Sequence, residues 1–198
     1  MICCTYYMNP RYEAMLAVSD VIDWRLSVAL VMAHDTGHRV GAIRRLEWHH
    51  IDFDEAHVRW DAKADKINFA HQTWLTPEAV EALKRARTEV AGGSKFVLPS
   101  PSDPEKPCSR HLMRTLWNRV EELADLKPIP GLGWHGLRRK FATDLKGTPL
   151  KDLCYMGGWK STQTIFECYQ VADEETMRQA LKARRTRMKP TFSGPSSV

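Results

Sequence analysis

Apolar residues recur every three or four positions through most of the chain, and the pattern shortens to near-alternation in only one stretch. "EAMLAVSDVIDW" and "RLSVALVMAH" both carry the helical period, so residues 10–34 read mainly as helix. Gly37 breaks that run. A second helix is expected from Arg39, turning Ile43 and Leu46 inward, with Trp48 and Ile51 following as it ends. Between Phe53 and Leu75, the residues Val58, Trp60, Ile67, Phe69, Thr73 and Trp74 stand in short β-prone segments separated by Asp and Lys. A small three-stranded antiparallel sheet is expected there, between about residues 52 and 76. Its turn falls at residues 62–66.

"TPEAVEALKRARTEVAGG" carries a complete set of helix signals: Thr76 as N-cap, Pro77 at the first helical position, Glu78 in the first turn and Gly92 as the stop. "LPSPSDPEKPCS" has the Pro and Ser density of a surface loop. Helical periodicity resumes in "SRHLMRTLWNRVEELADL" through Leu112, Leu116, Val120 and Leu123, and "KPIPGLGW" is another irregular connection. "HGLRRKFATDLK", "PLKDLCYMGG" and "STQTIFECYQ" read as three short helices, and "DEETMRQALKARRTRMK" as a final basic one. The fold class is therefore mainly α, an α+β domain with one small antiparallel sheet over residues 1–189, followed by a disordered tail at 190–198. No internal repeat and no long linker divides it.

Composition narrows the partners only a little. A chain of 198 residues, 43% hydrophobic, can bury a core, and 29 Lys and Arg against 24 acidic residues give a net charge of +5. That balance suits a polyanionic partner, and equally any soluble basic protein. No apolar run is long enough to span a bilayer and "MICCTYYMNPRYEAM" lacks the features of a signal peptide, so a cytoplasmic location without membrane contact is expected. Cys3, Cys4, Cys108, Cys154 and Cys168 include no C-x-x-C pair, which argues for reduced thiols and against a disulfide framework or zinc knuckle.

Three short motifs carry candidate chemistry. In "DTGHRVGAIRRLEW", Arg39 stands at the start of a helix, where a cation opposes the helix dipole, so an anion outside the helix is its natural partner. In "WHGLRRKFATDL", His135 and Arg138 are three residues apart and on a helix would share one face. In "GGWKSTQTIFECYQ", paired glycines precede Trp159, and Tyr169 follows one short helix later.

Taken in order, T-G-x-R, a lysine in a β-hairpin, H-x-x-R, G-W and a late tyrosine resemble the catalytic domain of tyrosine recombinases, the phage integrase family. The resemblance covers nearly all of residues 10–180. It implies a fold of the DNA breaking-rejoining type and a site-specific recombinase or integrase that cuts and rejoins double-stranded DNA without metal, ATP or any other cofactor. Arg39 and Arg138 would grip the scissile phosphate and His135 would move the tyrosine proton. Tyr169 would form a 3′-phosphotyrosyl bond, and a hairpin lysine would protonate the leaving 5′ oxygen. Lys66 is favoured over Lys63 for that last role. Trp159 stands where the family most often has histidine; its indole can donate a hydrogen bond to phosphate but cannot accept a proton. Self-association into a tetramer on DNA is implied as well, with the helix from Asp173 to Lys189 contacting a neighbouring protomer.

The chain also departs from the family pattern. Ala42 takes the place of an acidic residue common three positions after the first arginine, and the interval from Trp159 to Tyr169 is one residue longer than usual. The N-terminal helical domain that completes a clamp around DNA finds no room, so a catalytic fragment or a shortened protein is expected. Three other readings compete: a non-catalytic DNA-binding module of the same fold, a type IB topoisomerase-like relaxing enzyme, and a metal site drawn from His34, His38, Glu47, His49 and His50. The last lacks the H-E-x-x-H order that would supply two ligands and a base.

Overall fold

The computed structural model describes residues 8–61, 70–90, 93–168 and 174–187. Helix α1 (Met8–Ile22) and helix α2 (Trp24–Thr36) replace the single run read over 10–34. Asp23 separates them by capping α2, its carboxylate accepting from the Arg25 N–H at 2.9 Å. Gly37 ends α2 in the left-handed region at φ 66°, and a Cβ there would run into the Phe141 ring.

Helix α3 (Val40–Ile43) is a single turn, much shorter than the helix expected from Arg39. Pairing with a distant segment takes over from the local pattern. The Val97 N–H donates to the Leu46 carbonyl at 2.9 Å and the Trp48 N–H to the Lys95 carbonyl at 2.9 Å, which draws residues 46–48 out of helical register. Ile43, Leu46 and Ile51 are still buried, as their pattern required. A 3₁₀ turn (Trp48–His50) then leads into a three-stranded antiparallel sheet of β1 (Ile51–Asp52), β2 (His57–Trp60) and β3 (His71–Trp74), in that order. Val58 pairs with Thr73 and Trp60 with His71 across β2 and β3. Val58, Trp60, His71 and Thr73 face the core, whereas Trp74 is 65% exposed. Residues 62–69, where the expected turn and Ile67 and Phe69 fall, lie outside the described residues.

Helix α4 (Pro77–Glu89) starts as its signals demanded, with the Thr76 hydroxyl accepting from the Ala79 N–H at 3.1 Å. It ends on Val90, ahead of the Gly92 stop, and Gly92 itself is not described. The stretch read as a loop after Leu98 contains a two-stranded hairpin, β4 (Pro99–Ser100) and β5 (Asp103–Pro107). A two-stranded ribbon has only edges, so prolines that lack an N–H fit without breaking a central ladder. Helix α5 (Arg110–Leu123) is capped by Ser109 and buries Leu116 and Val120, but leaves Leu123 half exposed. Four further helices follow: α6 (Trp134–Asp144), α7 (Leu150–Met156), α8 (Thr162–Cys168) and α9 (Glu174–Arg187).

Two buried clusters hold the described residues together. The larger gathers residues such as Met15, Leu30, Leu83, Met113 and Leu137 from α1, α2, α4, α5 and α6. A smaller one, with Phe141, Leu153, Trp159 and Ile165, packs α6, α7 and α8. Arg11 of α1 and Glu121 of α5 form a buried ion pair at 2.6 Å, and Arg11 also donates to the Lys127 carbonyl, so neither charge is stranded in the core. The helical layers thus fix the ends of α2, α6 and α7, where the candidate residues stand.

Candidate active site

Arg39 occupies the N-cap of α3 with extended backbone, and its carbonyl accepts from the N–H groups of Ala42 and Ile43. Its half-buried side chain lines a cavity of about 360 Å³ together with Arg44, Arg45, Arg110, Arg114 and His135. Val40, Ala42, Met113 and Trp134 give this basic bowl an apolar floor. Arg44 is anchored by a 2.8 Å bond to the Cys108 carbonyl. Burial, then Arg45 and Arg110, push its pKa below the usual arginine range, with Cys108 acting in the opposite sense. Its neighbours Arg45 and Arg110 are cations, so positive charge is concentrated on this side of the cavity.

His135 and Arg138 both belong to α6 but do not share a solvent face as their spacing suggested. His135 is exposed at the cavity, whereas Arg138 is 1% exposed and turned into the core. Arg138 Nη1 donates to the carbonyls of Gly37 at 2.6 Å and Gly157 at 2.5 Å, and Nη2 to that of Gly158 at 3.3 Å. Beneath it lies the buried Trp159 ring, with the guanidinium carbon 3.8 Å from the ring centroid. A Cβ on Gly157 would overlap that ring, and Gly158 adopts φ +62°, so the paired glycines let the turn close over the arginine.

The His135 pKa is held below 6.5 by partial desolvation first, then by the charges of Arg138, Arg139 and Arg39. A neutral imidazole, able to take up a proton, is therefore its resting form at neutral pH. The structure brings Arg39, His135, Arg138 and Trp159 into one neighbourhood: Arg39 and His135 at the cavity, Arg138 and Trp159 in the layer behind. Lys66, its rival Lys63 and Tyr169 lie outside the described residues.

The alternative metal ligands do not gather as one set. His34 bonds to Asp35 at 2.6 Å and His38 to His71 at 2.7 Å. His49 and His50 group instead with Asp61, their ligand atoms within 4.8 Å of one another. His50 Nε2 already donates to Asp61 at 2.9 Å, while its Nδ1 accepts from the Glu47 N–H at 3.2 Å. The sequence reading passed over Arg44, Arg45, Arg110 and Arg114 as cavity residues, and His71 altogether. Basic residues along α5 were a visible signal for Arg110 and Arg114, but nothing local in "AHQTWL" points 33 positions back to His38.

A mainly helical domain with a three-stranded antiparallel sheet, and an arginine turn facing an H-x-x-R helix, is the architecture of a tyrosine recombinase catalytic domain. The chain belongs to the phage integrase family, whose model matches residues 9–176. No curated protein matches it by sequence. Among solved structures, XerA recombinase superposes with a TM-score of 0.72 at 17% identity, covering 89% of this chain and 64% of that one. The Tn1549 transposon integrase in complex with transposon right-end DNA gives a TM-score of 0.71 at 15% identity, with coverages of 87% and 63%. XerH site-specific recombinase bound to its difH substrate gives 0.68 at 19% identity, covering 87% of this chain and 52% of that one. The chain thus spans less than two thirds of the length of these proteins.

Proposed function

We propose that the chain is the catalytic domain of a site-specific DNA recombinase or integrase, acting on double-stranded DNA in the cytoplasm through a phosphotyrosyl intermediate. The observation that carries this reading is His135 at the rim of an arginine-lined cavity, flanked by Arg39, Arg138 and Arg139, with its pKa held below 6.5. Guanidinium groups match phosphate oxygens and stay charged, so they suit a site where negative charge grows during reaction.

In the step proposed, the Tyr169 oxygen attacks the scissile phosphorus and its proton passes to neutral His135. The bond from phosphorus to the 5′ oxygen breaks, and that oxygen takes a proton from Lys66. The DNA 3′ phosphate is left esterified to Tyr169, and the reverse sequence rejoins the strands. The phosphodiester energy is conserved in the ester, so neither ATP nor a metal is required. Four such sites on two duplexes complete an exchange, and a tetramer on DNA supplies them. Among the described residues no helix is long and apolar enough to cross a membrane.

The test is a cognate duplex carrying a nick that lets the leaving strand diffuse away. Wild-type protein should become trapped as a covalent adduct in chelator, and Tyr169→Phe should form none while still binding DNA. Binding without any adduct, even with an N-terminal clamp domain supplied, would make the chain a non-catalytic DNA-binding module.

A further inference from the structure

Between the arginine turn and the sheet lies a pair of histidines that takes no part in this chemistry. His38 and His71 are 2% and 3% exposed, with their Nε2 atoms 2.7 Å apart. His38 stacks on Trp60 with ring centroids 3.8 Å apart and lies nearly parallel to His71. Two ring nitrogens at hydrogen-bond distance share one proton, so one ring donates and the other accepts. The other nitrogen of His38 decides which. Its Nδ1 is 3.0 Å from the Thr36 carbonyl, which can only accept, so Nδ1 carries the hydrogen. His38 Nε2 is then the acceptor and His71 Nε2 the donor. Two neutral rings joined in this way are opposite tautomers, with the hydrogen on Nδ1 in His38 and on Nε2 in His71.

Three segments of the candidate site meet at this bond. His38 sits between Gly37, whose carbonyl receives Arg138, and Arg39 itself. His71 opens β3, the strand that follows the segment containing Lys66. The Gly158 backbone packs directly on both rings: a Cβ there would lie 2.6 Å from His71 Nε2 and 3.2 Å from His38 Nε2. Below the pair, Trp60 Nε1 donates to the Thr73 hydroxyl, which in turn donates to the Met156 carbonyl at 2.7 Å, tying the sheet to the end of α7.

We infer that His38 and His71 are positioning residues for DNA cleavage. Their one neutral hydrogen bond sets the Arg39 turn against the strand leading from the Lys66 segment and against the glycine turn that holds Arg138. The inference rests on the recombinase reading for its role in cleavage; the tautomer assignment stands without it.

A second proton would set two N–H groups against each other across 2.7 Å. Among the described residues, the groups facing the pair include Arg39 at the start of α3, Arg138 of α6 and the Tyr155 phenol of α7, whose ring is edge-on to His71 at 6.1 Å. Burial, then His71 and Arg138, with a smaller push from Arg39, hold the His38 pKa well below 6.5, against the bond to the Thr36 carbonyl. A folded-state pKa below the unfolded value means stability that is complete above 6.5 and lost as the pH falls toward the folded value.

Two measurements on the whole chain test this. Imidazole ¹⁵N NMR without DNA should find both rings neutral at neutral pH, with His38 carrying its hydrogen on Nδ1 and His71 on Nε2. The same tautomer in both, or a cation at either, overturns the inference. Cleavage of the nicked duplex is then compared in wild type, His71→Gln and His71→Leu. Glutamine keeps a donor near the Nε2 position without a titrating ring, so its kcat should stay within about twofold. Leucine removes the donor, and kcat should fall about tenfold with KM for DNA unchanged. His71→Asn, whose shorter amide stops short of His38, supplies the same loss if the Leu variant does not fold. Wild-type kcat in the Leu or Asn variant, or equal losses in Gln and Leu, reduces the pair to packing and overturns the inference. An inactive wild type with the expected tautomers sinks the recombinase reading, and the cleavage role with it, while leaving the hydrogen-bond assignment in place.

Discussion

The guanidinium carbon of Arg138 lies 3.8 Å from the centroid of the Trp159 ring, and both side chains are buried. Tryptophan gives the strongest cation–π surface among the aromatic side chains. It therefore serves here as a platform that fixes the arginine while three carbonyls hold its edge. Phe141 stacks nearby, with its ring centroid 6.3 Å from that of Trp159, so the platform is itself supported by α6.

A platform and a hydrogen-bond donor make different demands at position 159. Trp159→Phe keeps a ring under the arginine but removes the indole N–H, and should retain cleavage within several-fold of wild type. Trp159→Ala removes the ring, should lower stability by about 3–5 kcal/mol, and should nearly abolish adduct formation. Urea unfolding and the nicked-duplex assay read the two effects. A Phe variant as inactive as the Ala variant would assign the role to the N–H.

Arg138 poses the complementary question. Lysine can carry the charge, but its ammonium cannot reproduce a planar fork that satisfies three carbonyls from two turns. Arg138→Lys should fold, with reduced stability, and lose about a hundredfold or more in kcat, in the range found when one transition-state donor is removed. Single-turnover adduct formation, corrected for the folded fraction by circular dichroism, measures this. Near-wild-type cleavage in the Lys variant would mean that charge alone suffices.

Charge crowding sets the titration of His135. Its pKa lies below 6.5 because partial desolvation and the cations Arg138, Arg139 and Arg39 all oppose protonation. By NMR in the DNA-free protein, the His135 ring should therefore titrate below 6.5. Arg39→Ala should move the midpoint upward, as should high salt, because this histidine is open to solvent and its charge interactions are screened. A midpoint unmoved by both would leave desolvation as the whole cause.

Periodicity located the long helical stretches and cap chemistry fixed the start of α4 at Thr76, whose bond reaches only three residues. The caps at Asp23 and Ser109 are just as local, but the division of residues 10–34 at Asp23 was not read from the pattern. The order of Arg39, His135, Arg138 and Trp159 was likewise legible, since each sits in a short motif. The failures were non-local. The helix after Arg39 stops early because residues 46–48 pair with a segment some fifty positions on. The β4–β5 hairpin was hidden by prolines that a two-stranded ribbon tolerates. The inward turn of Arg138 depends on carbonyls 101, 19 and 20 positions away, and helical spacing alone could not reveal it.

The arginine-lined cavity makes a prediction about salt. Arg110 and Arg114 project from the first turns of α5 into the same bowl as Arg39 and Arg44. Each phosphate contact releases condensed counterions, so removing one should flatten the plot of log K against log salt by about 0.9. The double variant Arg110→Ala/Arg114→Ala should therefore lose about two units of slope and bind several-fold more weakly at low salt. Arg85 offers the control, because it lies on α4 in an ion pair with Asp20 of α1, away from this cavity. Arg85→Ala should leave the slope unchanged. Fluorescence anisotropy across a salt series decides the matter: equal slopes in the double variant and wild type would place the DNA on another face, and the catalytic reading of Arg39 and His135 would lose its substrate.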